Sequence, residues 1–150
     1  MVHKFNPQHY WKLDNPERRK VLPPEQTLKS LGLKENDLFV DIGCGTGYFT
    51  IPAIDIVGQD GKVFGLDTSE DMLNKLKEKA GPKRLERLML INTEEYDLRL
   101  GESSVTFVLM SNVLHEIECH SLRKGFHCSR QNCPKIFIFI GETFGNMFII

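Results

Sequence analysis

The stretch DIGCGTGYFT, residues 41 to 50, places three glycines at alternate positions between two apolar segments. Glycine weakens regular helices and strands, so this density predicts a loop whose backbone turns tightly or closely approaches a ligand. Residues 38 to 42 form a short apolar run typical of a buried strand, and residues 48 to 58 are helix-like. A glycine loop between a strand and a helix indicates a binding site, because open α/β sheets bind ligands outside the carboxyl ends of their strands.

Strand-like and helix-like segments alternate along the rest of the chain. Apolar runs predict strands at 62–67, 87–91, 105–110 and 135–140, and a periodic apolar face predicts a helix at 68–81 with Thr68 at its start. This alternation predicts an α/β fold in which a parallel sheet of about five strands carries helices on both faces.

Composition limits the class of protein further. The chain has 150 residues, of which 41% are hydrophobic, and a formal net charge of -1. These values predict one globular domain, 1–150, without the basic field of a nucleic-acid binder. The polar arm, 1–24, is unlike a signal peptide, and no apolar run reaches the roughly 20 residues of a membrane span. We therefore expect a cytoplasmic protein whose four cysteines are reduced.

Two carboxylates accompany the glycine loop. Asp41 precedes it, and Asp67 follows Gly47 by 20 residues, at the end of the second predicted strand. An acid at that distance can accept both hydroxyls of a ribose. Tyr48 stands where the dinucleotide fingerprint requires its third glycine, and no Lys-Ser/Thr pair follows as in a phosphate loop. The alternative is that Asp41 only caps the loop and Asp67 only caps a helix.

These motifs resemble those of class I S-adenosylmethionine-dependent methyltransferases. The similar segments are VDIGCGTGYFT, VFGLDTSEDML, INTEEYDL and SSVTFVLMSNVLHEI, and the arm is similar to that of some small prokaryotic members. The resemblance implies a Rossmann-like fold, S-adenosylmethionine as cofactor, S-adenosylhomocysteine as product, and methyl transfer to an acceptor.

The resemblance also assigns roles to individual residues. Those near the methionine part of the cofactor would be Asp41, Gly43, Cys44, Gly45 and Gly47, with Cys44 acting through its backbone. Those near the ribose and adenine would be Asp67, Thr68, Met72, Thr93 and Glu94. Those facing the methyl group would be Ser111 and Asn112. His115 is the only histidine near this predicted methyl site, so it is the candidate catalytic base; the alternative is that it is a packing or loop residue. Two positions depart from the family pattern, because Thr93 and Thr106 stand where acids are common.

The C-terminal segment, 119–150, is atypical. Residues 119 to 135 contain no acid but three of the four cysteines and two of the five histidines. Three interpretations of this segment remain open. It is a metal site, a basic surface segment, or the product of a disturbed coding frame; the metal ligands would be Cys119, His120, His127, Cys128 and Cys133. The spacing matches none of the usual zinc patterns, and we expect no metal.

Little chain remains after residue 140 for the final β-hairpin that the family usually has. We therefore expect a shortened or altered C-terminal part in which the strand at 135–140 is an exposed sheet edge. Such an edge, followed by the apolar residues NMFII, favours self-association.

Three functions remain open on the sequence. The first is a methyltransferase acting on a small-molecule acceptor, since no nucleic-acid-reading module is visible. The second is a cofactor-binding remnant without efficient turnover. The third is a different nucleotide-binding Rossmann-like enzyme, such as a dehydrogenase, although Tyr48 and Asp41 weigh against it.

Overall fold

A computed structural model of the protein describes residues 14–93, 105–111, 135–139 and 147–149, the last two ranges as backbone only. The strands are β1 (Leu38–Ile42), β2 (Lys62–Asp67), β3 (Leu88–Asn92), β4 (Phe107–Ser111), β5 (Lys135–Phe139) and β6 (Met147–Ile149). The helices are α1 (Pro16–Val21), α2 (Pro24–Ser30), α3 (Thr50–Val57) and α4 (Glu70–Leu85). The predicted α/β architecture is confirmed, and the predicted strands lie within two residues of the observed ones.

The strands form one sheet in the order β3-β2-β1-β4-β5-β6, and the first five are parallel. The chain runs from β1 through α3 to β2 on one side, whereas β4 pairs with β1 on the other side. The strand order therefore reverses at β1. In open α/β sheets the crevice at such a reversal, beyond the carboxyl ends of the strands, is the usual ligand site.

The sixth strand corrects one expectation about the edge of the sheet. β6 pairs antiparallel with β5, with Ile138 opposite Phe148 in the register. The sheet therefore has six strands, where about five were predicted, and the expected exposure of β5 as a sheet edge is wrong. The apolar C-terminal residues, which the sequence analysis treated as uncovered surface, supply the strand that pairs with β5.

The core lies between the sheet and the helices. Phe39 of β1 and Phe107 of β4 stack with ring centroids 5.5 Å apart. Apolar residues of α2, α3 and α4, namely Leu28, Ile54 and Leu76, belong to the same buried cluster. Alternate residues of the central strands, which point to the opposite face, are also buried: Val40, Leu66, Val108 and Met110. Both faces of these strands are thus covered, as a parallel sheet requires.

Local sequence explains where α3 and α4 begin and end. Pro52 lies in the first turn of α3, where proline is tolerated, and Gly58 ends this helix at φ 73°. The side chain of Ser69 accepts a hydrogen bond from the Met72 N–H and caps α4. The prediction that Thr68 begins this helix was therefore wrong by one residue. The regular part of α4 breaks at Gly81, where φ is 71°.

Thr106 lies immediately before β4 and is exposed. Its hydroxyl donates a hydrogen bond to Asp37 Oδ1 at 2.9 Å and accepts one from the Leu38 N–H at 2.9 Å. These bonds join the beginnings of β1 and β4, at the end of the sheet opposite the glycine loop.

Candidate cofactor-binding site

The glycine loop folds back over the carboxyl end of β2. The N–H groups of Gly43 and Cys44 both donate to the carbonyl oxygen of Leu66, at 2.8 and 3.0 Å. Gly43 and Gly45 have φ angles of 71° and 53°. These left-handed conformations favour glycine, and they turn the chain sharply enough to bring the loop beside Asp67.

The carboxylate of Asp67 joins the loop to the beginning of α4. Its Oδ2 accepts a hydrogen bond from the Gly45 N–H at 2.8 Å, and its Oδ1 accepts one from the Ser69 N–H at 2.9 Å. Burial raises the pKa of this carboxyl, and the backbone N–H donors partly oppose that shift. Each carboxylate oxygen can accept a second hydrogen bond, so Asp67 retains capacity for ligand hydroxyls.

Asp41, at the end of β1, is only 2% exposed. Its Oδ2 accepts a hydrogen bond from the Thr50 hydroxyl at 2.6 Å. Burial is the main reason that its pKa is raised to about 7, the charge of Asp67 raises it further, and Thr50 and Arg18 oppose the shift. A cationic ligand group at this position would favour the ionised carboxylate.

Gly47 has a different role from the other loop glycines. Its φ is 89°, and a Cβ atom added there would overlap Leu76 Cδ1 and come within 3.2 Å of Ile51. Gly47 therefore lets the loop pack against α4, and it does not line the cavity described below. That Gly47 touches the cofactor remains a prediction. Its packing against Leu76 and Ile51 is an observation of the structure.

A cavity of about 60 Å³ opens between the loop, β1, β4 and α1. Its lining residues are Arg18, Asp41, Gly43, Cys44, Gly45, Thr46, Tyr48, Phe49 and Ser111. Small-molecule sites usually enclose about 300–1,000 Å³, so this cavity accommodates only part of a ligand of that size. Five predicted residues from separate segments are therefore brought together here: Asp41, Gly43, Cys44, Gly45 and Ser111.

Cys44 lies in the loop with its side chain turned into the core, where it is 6% exposed. Burial raises the pKa of this thiol, and the nearby charges of Asp41 and Asp67 raise it further. The thiol is therefore kept protonated, in agreement with a role for this residue through its backbone.

The other predicted residues surround Asp67. Thr68 is exposed, and its carbonyl accepts a hydrogen bond from Asn92 Nδ2 at 3.3 Å. Met72 is buried in the first turn of α4. The N–H of Thr93, after β3, donates to the Asp67 carbonyl at 3.0 Å. These contacts place Thr68 and Thr93 beside the end of β2.

Several predictions concern residues outside those that the structure describes: Glu94, Asn112, His115 and the cluster of Cys119, His120, His127, Cys128 and Cys133. Within the described residues, no three His, Cys, Asp or Glu side chains are grouped as metal ligands. In the same part of the chain, none of the helices combines the length and the apolar character needed to cross a bilayer.

Arg18 and Tyr48 were not predicted as residues of the site. The Arg18 guanidinium lies over the Tyr48 ring, 4.2 Å from its centroid, and both residues line the cavity. The Tyr48 hydroxyl donates to the Leu22 carbonyl at 2.6 Å and so fastens the end of α1 to the glycine loop. The run NPERRK predicts a short capped helix, but no signal in it indicates which basic residue reaches the loop.

Fold and site together define a Rossmann-like nucleotide-cofactor domain, with a glycine loop after β1 and an acid at the end of β2. Residues 39–133 match the family of the methyltransferase domain. The chain therefore belongs to this family and, within it, to the class I S-adenosylmethionine-dependent methyltransferases.

Curated relatives carry names that agree with this membership. The chain is 32% identical over 93 residues to the demethylmenaquinone methyltransferase of Oceanobacillus iheyensis, and 31% identical over 93 residues to that of Bacillus mycoides. Each match covers 62% of this chain and 39% of the relative. The chain thus spans about two fifths of the length of these relatives.

Solved structures show the same fold. A SAM-dependent methyltransferase from Aquifex aeolicus superimposes with a TM-score of 0.77 and 30% identity, covering 90% of this chain and 72% of that one. A methyltransferase structure from Methanococcus maripaludis has a TM-score of 0.65 at 16% identity, covers 92% of this chain and 65% of that one, and supports the fold alone. The expected class I methyltransferase fold is confirmed.

Proposed function

We propose that this chain binds S-adenosylmethionine at the carboxyl ends of β1 and β2 and transfers its methyl group to a small-molecule acceptor. In this proposal residues 1–150 act as one domain, with 1–24 as an arm and 119–150 as an atypical C-terminal segment. The observation that carries the proposal is the position of Asp67, whose carboxylate lies against the glycine loop at the end of β2.

The donor set suits this cofactor. Asp67 would accept the ribose hydroxyls, with Thr68, Met72, Thr93 and Glu94 on the adenosine side. Gly43, Gly45 and the Cys44 backbone would lie along the methionine portion, where Asp41 would face its ammonium group. Asp41 and Asp67 are negative when ionised, which favours a cationic ligand over a pyrophosphate.

When bound, S-adenosylmethionine supplies an electrophilic methyl group on its sulfonium. The protein then has to align the acceptor and exclude water. Ser111 lines the cavity at the end of β4, so it would lie on the acceptor side together with Asn112. For an acceptor that must lose a proton, His115 would be the base.

The curated relatives suggest which acceptor to test first. They are named for demethylmenaquinone, and they match this chain over 62% of its length. We therefore place demethylmenaquinone first in an acceptor panel, followed by other small aromatic and amine acceptors.

Isothermal titration with S-adenosylhomocysteine and with NAD tests the cofactor assignment. We expect saturable binding of S-adenosylhomocysteine and none of NAD. Transfer of a labelled methyl group from S-adenosylmethionine to the acceptor panel then tests turnover. Binding without transfer to any acceptor would favour the cofactor-binding remnant, whereas NAD binding alone would overturn the proposed function.

A further inference from the structure

We propose that Arg18 binds the carboxylate of the cofactor's methionine portion, opposite Asp41 at its ammonium group. This inference rests on the proposed function, since it concerns the same ligand. It adds a residue from the arm to a site otherwise built from the ends of the strands.

One cavity holds two side chains of opposite charge. Arg18 and Asp41 line the same cavity as Gly43 and Gly45. The Arg18 charge also lowers the pKa of Asp41, against the larger effect of burial. An amino-acid end group carries one ammonium and one carboxylate, so a cavity with one acid and one guanidinium matches it in charge.

Arg18 is held in place by contacts of its side chain and its helix. Its guanidinium lies 4.2 Å from the centroid of the Tyr48 ring, a distance at which a cation is attracted to the ring face. Its backbone N–H donates to Asn15 Oδ1 at 2.8 Å, which caps α1. The Tyr48 hydroxyl bonds to the Leu22 carbonyl, so ring, helix and loop are fixed together.

A second set of contacts links the arm to the site. Lys79 Nζ of α4 lies 3.3 Å from Asp14 Oδ2, just before α1 in the arm, and 3.3 Å from Thr46 Oγ1 in the glycine loop. The arm is therefore attached to the loop on both sides of Arg18. This leaves the guanidinium little freedom to leave the cavity when a ligand enters.

The test compares two ligands that differ only in the carboxylate: S-adenosylhomocysteine and its decarboxylated analogue, in which hydrogen replaces that group. We measure the affinity of both for the wild-type protein and for Arg18→Met by isothermal titration. The wild-type protein should bind the analogue about 10- to 100-fold more weakly than S-adenosylhomocysteine, because the analogue lacks one charge-assisted contact. Arg18→Met should bind both ligands equally, at the affinity that the wild-type protein has for the analogue.

Arg18→Lys should recover part of the preference for S-adenosylhomocysteine, because a lysine keeps the charge but not the planar, two-donor geometry. Lys20→Met is the matched control, since Lys20 lies on the same helix in an exposed ion pair with Glu17. It removes the same charge and should keep the wild-type preference.

The two proposals fail in different ways. Wild-type protein that binds neither ligand contradicts the proposed function. Wild-type protein that binds both ligands equally, or folded Arg18→Met that retains the wild-type preference, overturns the role of Arg18 and leaves the proposed function standing. Thermal unfolding of each variant establishes that it is folded.

Discussion

Replacing Asp41 by asparagine should change how the stability of the protein depends on pH. Asparagine preserves the size of the side chain and an oxygen that accepts the hydrogen bond from Thr50, but it cannot titrate. The buried carboxyl of Asp41 has a pKa of about 7, compared with 3.8 for an ordinary aspartate. The folded state therefore holds this proton more tightly than the unfolded state does.

The difference between the two pKa values fixes the direction and the size of the effect on the free energy of unfolding. Below pH 3.8 the carboxyl is protonated in both states, and its contribution to stability is fully present. As the pH rises toward about 7 only the unfolded state ionises, and the contribution is lost. A difference of about 3 pH units corresponds to roughly 4 kcal/mol in the free energy of unfolding.

Urea denaturation of both proteins at several values between about pH 4 and pH 8 measures this effect, because subtracting the two free energies of unfolding cancels the other titrating groups. We expect the wild-type advantage over Asp41→Asn to fall by about 1.4 kcal/mol per pH unit between the two pKa values. In Thr50→Val the decline should extend to higher pH, since Thr50 lowers the pKa of Asp41. Parallel curves for wild type and Asp41→Asn would refute the reasoning.

Three further substitutions test the loop. Asp67→Ala should weaken S-adenosylhomocysteine binding at least about tenfold in titration, because ligand and loop both lose charge-assisted hydrogen bonds. Gly45→Val should abolish that binding in a folded protein, since a branched side chain resists the φ of 53° and fills ligand space. Gly47→Ala should destabilise the protein by about 2–4 kcal/mol in urea, through backbone strain and overlap with Leu76.

Gly81→Ala is the matched control for Gly47→Ala. Gly81 has a φ of 71°, but nothing lies within 4 Å of an added Cβ atom, so only backbone strain remains. Equal destabilisation by the two substitutions would contradict the packing role of Gly47. Unchanged ligand affinity in folded Asp67→Ala would remove the ribose assignment, and in folded Gly45→Val it would mean that the loop does not face the ligand.

The sequence predicted the strand ends that build the site. The bounds of β1 and β2 coincide with the predicted ones, because both are short apolar runs bounded by polar or glycine residues. With the strand ends known, parallel pairing brings Asp41 and Asp67 to the same edge of the sheet. The βαβ frame and both acids could therefore be placed without any tertiary information.

The remaining features depended on tertiary structure. Whether Thr68 or Ser69 caps α4 depends on backbone geometry at the end of β2, which side-chain patterns do not encode. The position of Arg18 depends on how the arm docks against Tyr48, a contact between residues far apart in the chain. The β6 strand was missed because a short apolar tail does not specify which strand it pairs with.

The carbonyl of Leu66 and the carboxylate of Asp67 together hold three successive N–H groups of the glycine loop. Ordering a residue costs about 1–2 kcal/mol of backbone entropy, and glycine loses the most freedom. In this protein that loss occurs when β1 and β2 pair, before any ligand is present. Binding at the loop therefore restricts mainly the motion of the incoming molecule, and the loop amides should exchange slowly with solvent even in the free protein.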